Sequence, residues 1–93
     1  MKEGKRVMNK WINGYCVHFK NDDAYADISI QFDDLFSCCG YYKLGYIDFY
    51  FCKGDNLDFD CLHIMSSGDM VKDACIACEY FDDNILPLEY WLL

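Results

Sequence analysis

The sequence has 93 residues, of which 54% are hydrophobic and 18% aromatic, and its formal net charge is −8 at pH 7. This length predicts a single domain, because half of the chain would be too small to bury a core of its own. The composition excludes a disordered or collagen-like chain, no apolar run reaches the roughly 18 residues that cross a bilayer, and the acidity argues against direct binding to nucleic acid or anionic lipid.

The basic residues are concentrated at the N-terminus. Half of them lie in the first ten residues, namely Lys2, Lys5, Arg6 and Lys10. We interpret residues 1–10 either as a flexible basic arm or, if Met8 is the true start, as including an upstream extension. Residues 11–93 contain 15 acidic residues and 4 lysines, which gives a net charge of −11. A surface this negative attracts basic proteins and binds them faster at low salt.

The first elements in chain order are predicted strands. Asn13-Gly14 is typical of a type I′ turn and predicts a hairpin of strands 6–12 and 15–20. Residues 24–39 fit two patterns: alternation as in a strand, or a helical stripe with Asp22 as its cap and Gly40 as its stop. The β-branched segment Ile28-Ser29-Ile30 favours a strand at 25–32, followed by a short helical turn at 33–39.

The second half of the chain predicts a hairpin and a helix. Strands 46–52 and 57–65 flank the turn-forming residues 53–56, and Tyr46, Asp48 and Tyr50 share one face of the first strand. A helix over 69–81 follows, ending at 82–84 and packed on the sheet by Val71, Ala74, Cys75, Cys78 and Phe81. Residues 85–93 form an apolar tail that Pro87 confines to an edge strand. The prediction is an α+β domain: an antiparallel sheet of about four to six strands with one main helix on one face.

The seven cysteines indicate a reducing compartment. Their number is odd and no secretory signal precedes them, so we expect a cytoplasmic protein with all seven thiols reduced.

Cys75-Ile-Ala-Cys78 is the most motif-like segment. A thiol redox pair needs its first cysteine at a helix N-terminus, and Cys75 falls about two turns into the predicted helix. Together with Cys61 and His63, the two cysteines would supply four ligands for zinc. The favoured interpretation is that Cys75 and Cys78 are small core residues on the buried helix stripe, so no metal or cofactor is predicted.

No segment indicates an enzyme. The acids Asp55, Asp58 and Asp60 lack the spacing of a calcium loop, and the predicted face shared by Asp58 and Asp60 is interpreted as solvated. A phosphate-binding loop, a dinucleotide fingerprint and a nucleophile elbow are all missing from the sequence.

Acidic and aromatic residues are interleaved, and the 17 aromatic residues exceed what one small core usually absorbs. Grooves that hold nucleic acid combine cations with stacking surfaces, so a ligand for them needs anions and flat rings. We therefore predict a non-enzymatic inhibitor that mimics nucleic acid and blocks a basic, nucleic-acid-handling protein, a physical profile typical of anti-CRISPR and other phage counter-defence proteins. The predicted contact residues are Asp55, Asp58, Asp60, Asp82 and Asp83 for long-range attraction and Tyr80, Tyr90 and Trp91 as aromatic anchors.

Three alternatives stay open. An immunity protein or antitoxin that neutralises a basic nuclease toxin would have the same physical profile. A small zinc-binding or thiol-based protein would use the cysteine and histidine set. In the third, the acidic residues only keep an aromatic-rich domain soluble.

Overall fold

The computed structural model describes residues 7–20 and 27–91, apart from the side chains of Val7, Tyr90 and Trp91. Six strands come first, and each pairs antiparallel with the next, so the order of strands in the sheet is their order in the chain. The strands are β1 (Val7–Ile12), β2 (Tyr15–Lys20), β3 (Ile28–Gln31), β4 (Phe36–Lys43), β5 (Tyr46–Lys53) and β6 (Asn56–Met65). A helical segment follows, consisting of α1 (Met70–Tyr80), a π-helical turn (Phe81–Ile85) and α2 (Leu86–Trp91). The predicted α+β domain is confirmed.

Both predicted hairpins are confirmed. Asn13 and Gly14 have φ values of 54° and 84°, as a type I′ turn requires at its two central residues. The second hairpin pairs β5 with β6. Residue 6, the predicted start of the first strand, lies outside the described residues.

The predicted helical turn at 33–39 is wrong, and the strand predicted at 25–32 is found only at β3, with residues 25 and 26 outside the described part. Asp33 Oδ1 accepts hydrogen bonds from the amides of Leu35 (2.8 Å) and Phe36 (2.7 Å). This local turn reverses the chain within a few residues and starts β4. Gly40 is therefore a strand residue and not a helix stop.

The predicted helix end at 82–84 is also wrong, and so is the edge strand predicted at 85–93 as far as residue 91; residues 92 and 93 lie outside the described part of the chain. The chain stays helical through Trp91 by way of the π turn, where the amide of Leu86 donates to the carbonyl of Phe81, five residues earlier. Phe81 and Ile85 are both buried, so the turn continues the apolar face of α1. Pro87 lies in the first turn of α2, where a missing N–H is tolerated.

The core lies between one face of the sheet and the helical segment. The sheet contributes eight residues that are at most 2% exposed: Val17, Ile28, Ile30, Phe36, Cys38, Ile47, Phe49 and Phe51. Of the predicted helix stripe, Ala74, Cys78 and Phe81 are buried, whereas Val71 and Cys75 lie at its half-buried margin. The Phe81 ring stacks on Phe32, with centroids 4.0 Å apart.

Asp73 is the one charged residue buried in the described part of the chain, and it joins the start of α1 to the sheet. Its carboxylate accepts hydrogen bonds from the Tyr42 hydroxyl (2.6 Å), the Ser66 hydroxyl (3.1 Å) and the Ser67 amide (3.0 Å). Burial by itself raises the pKa of Asp73, but the hydrogen bonds from Tyr42, Ser67 and Ser66 outweigh it and leave the pKa lowered. The ionised form is therefore the one that stabilises the fold.

We expect Asp73→Asn to lower the free energy of unfolding by about 2 kcal/mol, because an amide cannot accept all of these bonds as a charged group does. The contribution of Asp73 is fully present above the ordinary carboxyl pKa of about 3.9 and is lost as the pH falls through the lowered folded-state pKa. Urea unfolding measures the free energy of unfolding of Asp73→Asn and of the native chain across that pH range. The difference between the two should shrink as the pH falls. The control Asp83→Asn changes an exposed carboxylate; equal losses in the two variants would contradict the assignment.

Gly40 lies in β4 directly opposite Phe49, whose ring covers the glycine backbone. A Cβ atom at residue 40 would lie 2.7 Å from Phe49 Cε1, which is too close without a shift of the buried ring. The absence of a side chain at residue 40 is therefore a packing requirement of the core.

We expect Gly40→Ala to destabilise the protein by about 1–3 kcal/mol through overpacking. Ser37→Ala on the same strand is the control and should be nearly neutral in thermal unfolding. In a double-mutant cycle, Phe49→Leu should cost less in the Gly40→Ala background than in the native one. Additive losses would show that the two residues are not coupled.

Candidate functional site

Among residues 7–20 and 27–91, no element covers the face of the sheet opposite the helical segment, and we call it the open face. Because side chains alternate along a strand, the neighbours of the buried core residues point to this face. Paired residues form rows across it, one of which runs His18, Ser29, Cys39, Tyr50 and Cys61. The large exposed residues of these rows are Trp11, Tyr41, Tyr46, Tyr50 and Met65, with Trp11 73% exposed.

Asp48 lies on the open face with aromatic side chains around it. Tyr41 on β4 and His63 on β6 pair with it, and Tyr46 and Tyr50 flank it along β5. We call these five residues the Tyr–Asp cluster. The predicted common face of Tyr46, Asp48 and Tyr50 is confirmed.

The rings of the Tyr–Asp cluster contact one another in pairs. Tyr46 stacks on His63 with centroids 4.8 Å apart and an interplanar angle of 18°. Tyr41 and Tyr50 meet edge to face with centroids 5.9 Å apart. His63 Nδ1 is hydrogen bonded to Asp48 Oδ1, and this bond orients the carboxylate.

The electrostatic potential around the Tyr–Asp cluster is negative. The charge of Asp48, then burial, and then Cys61 and Asp58 raise the pKa of the Tyr50 hydroxyl. The pKa of Tyr41 is raised by burial first and also by Cys39, Cys52, Tyr50 and Asp27. Both tyrosines therefore keep neutral hydroxyls at physiological pH, and a cation placed here would meet carboxylates and uncharged aromatic rings.

The predicted common face of Asp58 and Asp60 is not found. The register of β5 against β6 shifts between Phe51 and Lys53, so the alternation of side chains breaks at a bulge. Asp60 pairs with the buried Phe51 and accepts a hydrogen bond from the Tyr80 hydroxyl (2.9 Å) on the helix side. Asp58 is exposed, and its charge contributes to the raised pKa of Tyr50 on the open face. A bulge leaves no clear mark in a sequence, which is why the alternation rule failed here.

The other predicted acidic contacts are separated in the structure. Asp55 is exposed in the β5–β6 turn, and Asp83 is exposed on the π turn. Asp82 is half-buried and accepts a hydrogen bond from the Tyr15 hydroxyl. The predicted set therefore does not form one surface.

The predicted aromatic anchors do not belong to the open face as far as the structure describes them. Tyr80 is half-buried, with its ring 5.3 Å from Phe51 and its hydroxyl bonded to Asp60, so it joins the helix to the sheet. Tyr90 and Trp91 are part of α2, but their side chains lie outside the described residues. Sequence reasoning missed Trp11 and Tyr41 as exposed rings, although their alternation with buried neighbours could have indicated them.

The four residues of the predicted zinc set are not brought together. Cys61 and His63 lie on the open face, whereas Cys78 is buried under α1 on the other side of the sheet and Cys75 is half-buried beside it. No cluster of three or more metal-ligating side chains occurs among residues 7–20 and 27–91. Burial, with the nearby Cys75, Asp82 and Glu79, raises the pKa of Cys78 to about 12, which opposes thiolate chemistry.

Comparison of the chain with protein-family models, curated proteins and solved structures found no match. No helix in the described residues is long and apolar enough to span a membrane.

We expect Cys61 to be alkylated first in the folded protein, because it is the one cysteine of the seven that is exposed. Cys38, Cys52 and Cys78 are buried and should be the slowest, and burial also raises the pKa of Cys38. Peptide mapping by mass spectrometry at increasing reaction times measures this order. The denatured chain, prepared without reductant, is the control and should give seven free thiols; early labelling of Cys78 in the folded protein would contradict the packing of α1.

Proposed function

We propose that this chain is a non-enzymatic binding protein that uses its open face to block a basic, nucleic-acid-handling partner. The observation that carries the proposal is the set of exposed rings on the open face, Trp11, Tyr41, Tyr46 and Tyr50, on a domain whose residues 11–93 have a net charge of −11. Tyrosine and tryptophan are enriched in binding hot spots because they bury a large area at a low cost in entropy.

The distribution of charge supports a basic partner. Asp48 lies among the rings of the open face, the charge of Asp58 contributes to the raised pKa of Tyr50 there, and Asp55 is exposed in the adjoining turn. Carboxylates at such positions attract a cationic surface over a long range and raise the association rate. The rings then provide the buried contact that slows dissociation.

The alternation of rings and carboxylates supports a nucleic-acid mimic. A groove that binds single strands combines cations along the backbone with rings on which bases stack. Along β5, Tyr46, Asp48 and Tyr50 present the complementary series of ring, anion and ring on one face. Such a surface competes with nucleic acid for the groove, as expected of an anti-CRISPR-like counter-defence protein.

The partner can be identified by affinity capture from a lysate of the native host at low ionic strength, with mass spectrometry of the bound proteins. A nucleic-acid-binding protein that no longer binds once it is loaded with its own nucleic acid supports the proposal. Simultaneous binding of the chain and the nucleic acid would overturn the mimicry. A nuclease toxin among the captured proteins would instead assign the chain as an immunity protein or antitoxin.

With the captured partner, Asp55→Asn combined with Asp58→Asn should slow association and flatten its dependence on salt, since these charges act at long range. Trp11→Ala should instead speed dissociation and cost about 2 kcal/mol or more. Surface plasmon resonance at several salt concentrations separates the two effects.

The matched control is Glu79→Gln with Asp83→Asn, which removes the same charge from exposed residues of the helical segment. It should change association less than the open-face pair does. A larger effect from the helical pair would place the interface on the helix side. Salt-independent binding would overturn the electrostatic part of the proposal.

A further inference from the structure

We infer that the Tyr–Asp cluster binds one arginine side chain of the partner, an inference that rests on the proposed function and narrows it to a single recognised group. The five residues place one carboxylate, Asp48, among four rings on an uncovered sheet face. This combination of an anion and several aromatic faces matches a guanidinium group, which is cationic, planar and weakly hydrated.

The carboxylate of Asp48 is oriented and retains a free acceptor. His63 occupies Oδ1, while Oδ2 accepts no hydrogen bond from the residues that the structure describes. The side chain of Asp48 is 25% exposed, so its charge is reachable but partly shielded from water. An ion pair in such a position is stronger than one on a fully solvated surface.

The rings provide the second half of the site. Tyr46 and Tyr50 lie on either side of Asp48 along β5, and both are exposed. A guanidinium bonded to Oδ2 can place its plane against one of these rings, where cation–π contact adds to the ion pair.

The charged neighbours of the Tyr–Asp cluster favour a cation. Asp58 increases the negative potential at Tyr50, and Asp27 does so at Tyr41. Lys43 is the lysine paired opposite Tyr46 at the rim, and it forms no ion pair with Asp48 in the described part of the chain. A nucleobase would also contact the rings, but it carries no positive charge and so gains no attraction from Asp48. It is therefore a poorer occupant than arginine.

The test is a titration of the full chain, labelled with nitrogen-15, with the blocked peptide acetyl-Gly-Arg-Gly-amide, followed by NMR at neutral pH. We expect saturable amide shifts centred on residues 46–50 and 61–63, with a dissociation constant of about 1–10 mM for so small a ligand. The same peptide with lysine should bind about threefold more weakly, because an ammonium lacks the planar stacking contact. The peptide with citrulline keeps the shape without the charge and should not saturate.

Four variants assign the site. Asp48→Asn should weaken peptide binding about fivefold, and Tyr50→Leu about threefold, through loss of the ion pair and of a ring face. Tyr50→Phe keeps the ring and should bind like the native chain. Asp83→Asn, with the same change in charge on the helix side, should leave peptide binding unchanged. The amide spectrum of each variant shows whether it is folded. If Asp48→Asn does not fold, the comparison of Tyr50→Leu with Tyr50→Phe still tests the site.

Shifts spread evenly over the acidic surface, or equal weakening by Asp48→Asn and Asp83→Asn, would overturn the arginine site. Equal binding of the arginine and citrulline peptides would do the same. Neither outcome depends on a partner protein, so the arginine site can fail while capture still yields a basic partner. Conversely, the arginine peptide could bind at the Tyr–Asp cluster while the captured partner binds the chain and its nucleic acid at the same time. That pair of results would support the arginine site and overturn the mimicry.

Discussion

One helical segment packs against a six-stranded sheet, and it is too narrow to cover more than one face of that sheet. Six strands at about 4.8 Å spacing make a sheet roughly 24 Å across, more than twice the diameter of about 10 Å of a helix with its side chains. One segment can therefore cover only one face. The rings of Phe32 and Phe36 pack against Phe81 between the sheet and this segment, and no other element in the described part of the chain covers the second face.

Tyrosine–aspartate pairs have two different roles on the two faces. On the covered side, hydroxyls of Tyr15, Tyr42 and Tyr80 donate to Asp82, Asp73 and Asp60, so three such bonds connect the sheet to the helical segment. On the open face, Asp48 is bonded to His63 and not to the tyrosines around it. Part of the acidity of the sequence is thus used inside the fold, where carboxylates accept hydrogen bonds that hold the helical segment to the sheet.

The sequence predicted those elements whose signals were local. Asn13-Gly14 and the turn at 53–56 identified both hairpins, and the alternation of Tyr46, Asp48 and Tyr50 identified the exposed side of β5. The helix end was mispredicted because Asp82, Asp83 and Pro87 favour a break, while burial of Phe81 and Ile85 on the sheet outweighs that preference. The site could not be predicted from the sequence, because residue spacing alone indicates neither the bulge in β6 nor which face of the sheet the helical segment covers.

The order of the strands has a consequence for how the chain reaches this structure. Each strand pairs with the one made just before it, so the sheet can grow hairpin by hairpin with short loop closures and little cost in chain entropy. The helical segment follows the whole sheet in the chain, and until it docks the apolar face of six strands has no cover. During synthesis on the ribosome, the vulnerable species is therefore a finished sheet waiting for residues 70–91, and a pause at that point exposes the molecule to aggregation and to chaperones.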